Sequence, residues 1–72
     1  MDAKKFLIDL ENDMHAAGIT MADVCRKAGL QQSLVSRWKA GIHEPRISKL
    51  TQLETAFRVL LAEKGNQLED LL

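Results

Sequence analysis

The 72-residue chain has a single cysteine, Cys25, so no disulfide can close within it, and a lone thiol fits a reducing compartment. It lacks any apolar run near the ~18 residues that a membrane-spanning helix needs. From Met1-Asp2-Ala3-Lys4-Lys5 the chain meets charge again at Asp9, too soon for the apolar stretch of a secretory signal. His15, His43 and Cys25 are not at metal-ligand spacing. A glycine-rich phosphate cradle is missing, and so is a pair of carboxylates in apolar surroundings. No enzyme, cofactor, metal or small-molecule ligand is therefore expected. What remains is one soluble, cytoplasmic domain spanning residues 1–72. A chain this short buries only about 60% of the surface that its unfolded form exposes, so its margin of stability is thin.

Net charge is absent too, but its distribution is not even. Residues 1–19 carry Asp2, Asp9, Glu11 and Asp13 against Lys4 and Lys5, a balance of −2. Residues 20–49 carry Arg26, Lys27, Arg37, Lys39, Arg46 and Lys49 against Asp23 and Glu44, a balance of +4. Residues 50–72 carry Glu54, Glu63, Glu69 and Asp70 against Arg58 and Lys64, again −2. A basic middle between acidic ends can steer one face toward a polyanion. An ordinary solvated surface would give the same pattern, so charge alone decides nothing.

Four glycines and one proline punctuate apolar residues at a helical period. A first helix is expected over about residues 3–17, with Phe6, Leu7, Leu10, Met14 and Ala17 on one stripe and Ile8 off it. A second, about 21–28, follows Thr20, and Thr20-Met21-Ala22-Asp23 has the form of a capping box with Asp in place of Glu. Its inward residues are Met21, Val24, Cys25 and Ala28. A third, about 32–40, turns Val35 and Trp38 inward, with Leu34 at the edge. A fourth, about 46–63, offers Ile47, Leu50, Leu53, Phe57, Leu60 and Leu61 on one broad stripe. Gly65 then reads as a stop, and Asn66-Gln67-Leu68-Glu69 as the cap of a short fifth helix. The expected fold is all-α and compact, with five helices around one core.

The informative stretch runs from Thr20 to Gly41. Two short helices meet across Gly29 in a turn of three to four residues, the sequence form of a helix-turn-helix, here at about 21–40. The motif requires a small residue where its helices cross, and Cys25 fills that place better as packing than as a nucleophile. Leu30 plugs the corner. Trp38, three residues from Val35, belongs to packing rather than to stacking on a base.

From Val24-Cys25, through Ala28-Gly29-Leu30, to Leu34-Val35-Ser36-Arg37-Trp38-Lys39-Ala40-Gly41, the chain resembles the lambda-repressor-like (XRE-type) family of phage Cro and repressor proteins. Gly41-Ile42-His43-Glu44-Pro45 looks like that family's loop, and Leu50 and Leu53 fall where its fourth helix packs back. Three positions depart from the pattern. Cys25 stands where alanine is common, Met21 where Gln or Thr often opens the helix, and Gln31 where Ser or Thr usually caps the next one. The resemblance implies a sequence-specific regulator of transcription, a repressor of Cro type. It would work in the cytoplasm of a bacterial or phage-infected cell, associated with the nucleoid, and bind double-stranded DNA with the helix at about 32–40 in the major groove.

Wound at about 100° per residue, that helix gathers Lys39, Gln32, Ser36, Ser33 and Arg37 on one contiguous polar arc that runs from beside Val35 to the side opposite it. Gln32 can pair with adenine N6 and N7, and Arg37 with guanine O6 and N7. Ser33 and Ser36 are short enough to bring the backbone close to base edges. Base contacts are therefore expected from Gln32, Ser33, Ser36 and Arg37. Phosphate contacts are expected from Thr20, Gln31, Lys39, Arg46 and Lys49. His43 reads as a polar loop residue. Self-association as a homodimer would use Leu68, Leu71 and Leu72, with Ile8 or Val59 beside them, although these leucines could equally close the core. Two other readings stay open: a protein-interaction module, such as an antitoxin or anti-regulator on the same scaffold, and a purely structural helical subunit.

Overall fold

A computed structural model describes the backbone of residues 2–71 and the side-chain surroundings of residues 2–65. Four helices follow one another: α1 (Ala3–Ala17), α2 (Met21–Ala28), α3 (Gln32–Lys39) and α4 (Ile47–Leu71). The first three start and stop for local reasons. Asp2 caps α1, its Oδ1 accepting from the N–H groups of Lys4 at 3.1 Å and Lys5 at 3.2 Å. Thr20 caps α2 by accepting from the Asp23 N–H at 3.1 Å. Asp23 does not return a bond to the Thr20 backbone as a full capping box would, and its carboxylate pairs with Arg26 at 3.3 Å instead.

All three short helices close with the same pair of reverse bonds. The Gly29 N–H donates to the Arg26 carbonyl at 3.3 Å, and the Leu30 N–H to the Cys25 carbonyl at 2.9 Å. Gly18 and Ile19 repeat this on the His15 and Met14 carbonyls respectively, and Gly41 and Ile42 on those of Trp38 and Arg37. This closure puts its glycine in the left-handed region, with φ of 74° at Gly29, where a side chain would be strained. The apolar residue after each glycine folds back toward the helix it closes. Ile19 and Leu30 do so and lie half-buried against the core, whereas Ile42 stays exposed.

The expected fifth helix is not a separate element. α4 runs unbroken through Gly65 to Leu71, so the described residues form four helices. Among the described residues the left-handed glycines are Gly18, Gly29 and Gly41, and Gly65 keeps to the helix. A lone glycine inside a helix costs only about 1 kcal/mol relative to alanine. Glu63 and Lys64 before it, and Gln67, Leu68 and Glu69 after it, are good helix formers. Without a proline to enforce the stop, glycine alone does not end the helix.

The core draws Leu7, Leu10 and Met14 from α1, Val24 and Cys25 from α2, and Val35 and Trp38 from α3. α4 adds Leu50, Leu53, Ala56 and Phe57. Phe6, Ala17, Met21, Ala28, Leu34 and Leu60 are half-buried around it. Two residues expected inside lie outside: Ile47 is 64% exposed and Leu61 38%. At about 100° per residue they stand roughly 120° and 80° from Leu53, beyond the strip that the three shorter helices cover. Ile8 is exposed, as its place off the stripe requires. Among the described residues no helix is long and apolar enough to cross a membrane.

Candidate nucleic-acid interface

α2 and α3 are joined by Gly29, Leu30 and Gln31, and the closure at Gly29 sets the angle between them. Cys25 is 2% exposed, and burial pushes its thiol pKa above the ordinary value. It is a small core residue, and a thiol held protonated is a poor nucleophile. On α3, Val35 is 1% exposed and Trp38 5%, so one side of this eight-residue helix is fixed in the core.

The other side is open. Gln32, Ser33, Ser36 and Arg37 are all exposed. Within the described residues none of the four side chains is tied up in an ion pair or a hydrogen bond. The fold thus brings the four expected base readers onto one exposed face of α3. Gln31 precedes them as the N-cap residue, and its side chain makes no capping bond. Its amide has no hydrogen-bond partner among the described residues.

The cations fall into two groups. Arg26 pairs with Asp23, Lys27 with Glu63 at 2.8 Å, and Arg58 with Glu54 at 3.1 Å. The Lys39 ammonium is engaged by the Glu11 carboxylate on α1, and that of Lys64 by the Ala17 carbonyl. Arg37, Arg46 and Lys49, and on α1 Lys4 and Lys5, are exposed and have no ion-pair partner among the described residues. Arg46 also opens α4, its carbonyl accepting from the N–H groups of Lys49 at 3.0 Å and Leu50 at 3.2 Å. Of the residues expected to touch phosphate, Arg46 and Lys49 are free to do so. Thr20 is exposed with its hydroxyl serving the cap of α2, and Lys39 is turned toward α1.

Two features of the site have no counterpart in sequence spacing. Gln52 of α4 donates through Nε2 to the Ala28 carbonyl at 2.6 Å, and Lys64 donates to Ala17. The last helix thereby satisfies carbonyls that the C-terminal ends of α1 and α2 leave open. Lys4 lies beside Gly41, His43 and Pro45, lining a cleft with them, so the N-terminus of α1 borders the loop that follows α3. These partners are 24 to 47 residues apart in the hydrogen-bonded cases, and no local signal announces them. The leucines Leu68, Leu71 and Leu72, expected to mediate self-association, lie outside the residues whose side chains are described.

A helix-turn-helix family model matches residues 13–64, which is more than half of the chain and includes all of α2, the turn and α3. Comparison with curated proteins and with solved structures gives no match. The matched family is one of DNA-binding regulators. An exposed and unpaired polar face on a helix fixed from behind, and a family match over the same segment, agree: the chain belongs to the XRE-type, lambda repressor-like helix-turn-helix family.

Proposed function

We propose that this chain is a sequence-specific repressor of Cro type that lays α3 in the major groove of double-stranded DNA. The observation that carries the reading is the open face of α3. Gln32, Ser33, Ser36 and Arg37 share it, exposed and without a partner among the described residues, while Val35 and Trp38 hold the opposite side in the core. Gln32 reads adenine and Arg37 guanine by paired hydrogen bonds, each discriminating by about 1–3 kcal/mol. Thr20, Gln31, Arg46 and Lys49, all exposed, are the proposed phosphate contacts that set the register of α3. Repression asks for nothing more than occupancy, since a protein seated in the groove excludes others from the same base pairs. One such domain buries a modest interface, so the chain acts as a homodimer on half-sites about 34 Å apart. The C-terminal leucines, with Val59 or Ile8, are the proposed contact.

Selection of bound sites from a random duplex library tests the reading directly. A palindromic consensus with one helical turn between half-site centres is the expected result. Arg37→Ala should relax preference at one base pair, at a cost of about 1–3 kcal/mol on the selected site. Lys49→Ala should weaken all sequences alike and flatten the dependence of affinity on salt. Identical behaviour of the two variants would refute the division into readers and anchors. Affinity for a protein partner that is indifferent to salt, with no enrichment of any duplex, would favour an antitoxin-like interaction module instead.

A further inference from the structure

Lys39 is the last residue of α3, and its side chain leaves the reading face. Its ammonium meets the carboxylate of Glu11, 28 residues earlier on α1. Both side chains are partly withdrawn from water, Lys39 being 41% exposed and Glu11 28%. No other side chain of α3 makes an ion pair or a hydrogen bond to another element among the described residues.

The mechanical consequence follows from the size of the helix. Eight residues span only about 12 Å, and the two core anchors, Val35 and Trp38, are one turn apart. Apolar packing at these two points, with Leu34 half-buried on the side away from Gln32, resists lifting of the helix more strongly than rocking of the Gln32 edge. A polar tether on that edge, near the C-terminal end, restricts this rocking further. Lys39 lies about 20° around the helix from Gln32 and about two turns along it, so the tether runs down the same edge that carries the first base reader. Paired hydrogen bonds to a base tolerate little rotation, and an edge that rocks loses discrimination before it loses contact.

We infer that Glu11, a residue of the acidic first helix, is a positioning residue for base reading. Through Lys39 it holds α3 at the angle from which Gln32 and Arg37 reach base edges. Lys39 then serves as the strap between α3 and α1, and the phosphate anchors are Arg46 and Lys49. This inference rests on the reading of α3 as the DNA-contacting helix.

The test measures affinity for a selected duplex and a scrambled one across a salt series, for the wild type, Glu11→Gln, Lys39→Met and the double variant. Thermal unfolding monitors the fold of each. The tether predicts that both single variants lower the ratio of selected to scrambled affinity by about 2- to 5-fold, the scale of one partly exposed ion pair. The double variant should lose no more than either single one, because both break the same contact. The salt slope should stay at the wild-type value in all four proteins. A shallower slope in Lys39→Met, by about 0.9 per lost phosphate contact, would make Lys39 an anchor and overturn the inference. An unchanged ratio in Glu11→Gln would also overturn it, while a discriminating wild type would leave the DNA reading standing. A wild-type protein that binds both duplexes equally, or neither, would sink the reading and the inference together.

Discussion

Gly29 and Gly65 are the same residue type in two different backbones, and replacing each with alanine should move stability in opposite directions. At Gly29, φ is 74° and an added Cβ would meet nothing within 4 Å, so the penalty comes from the backbone alone. A left-handed conformation costs a non-glycine residue about 1–2 kcal/mol. Reduced freedom in the unfolded chain returns about 0.4–1 kcal/mol. Gly29→Ala should therefore destabilise by about 1 kcal/mol, lowering Tm by about 4–8 °C for a domain of this size. At Gly65 an added Cβ also meets nothing within 4 Å, but the backbone is helical. There alanine is preferred over glycine by about 0.5–1 kcal/mol, so Gly65→Ala should raise stability and Tm. Urea and thermal unfolding of the two variants beside the wild type decide the matter. If Gly65→Ala destabilises, Gly65 ends a helix after all, and the reasoning for a continuous α4 fails.

Three further outcomes are expected. Cys25→Leu should overpack the crossing of α2 with its neighbours and cost about 1–3 kcal/mol in urea unfolding, whereas a neutral result would mean the site has room to spare. Because burial raises the Cys25 pKa, the folded chain keeps a proton that the unfolded thiol gives up. Stability should thus fall as pH climbs past the ordinary thiol range, and Cys25→Ala should remove that part of the slope. Gln52→Leu deletes the donor to the Ala28 carbonyl and should cost about 0.5–1.5 kcal/mol, which a denaturant midpoint indistinguishable from the wild type would contradict.

The legible parts of this molecule are those where cause and effect sit within one turn of chain. Thr20 three residues before Asp23, Gly29 directly after Ala28, and Val35 three before Trp38 each fix a local geometry, and α2 and α3 fall where these residues place them. The exposed face of α3 follows once Val35 and Trp38 are inside. Illegibility begins where the deciding partner is far away in sequence. The reach of Gln52 to Ala28, of Lys64 to Ala17 and of Lys39 to Glu11 depends on how α4 and α1 lie against the motif. Ile47 and Leu61 show the same limit from another side. Hydropathy marks them as buried, but how wide a strip of α4 is covered depends on its neighbours. Gly65 was ambiguous because a stop requires a left-handed closure, and glycine permits one without imposing it.

The donation from Gln52 and Lys64 to the helices before them has a consequence in time. Leu50, Leu53 and Phe57 complete the core from the same late helix. On a ribosome, the turn and both motif helices emerge well before the residues that brace them. A nascent chain stopped at Gly41 has every proposed base-reading side chain and α1, which packs against α3, but lacks the helix that closes the core behind α2. Competence to recognise an operator should arrive abruptly, as the segment through Lys64 clears the exit tunnel, rather than grow with each helix added.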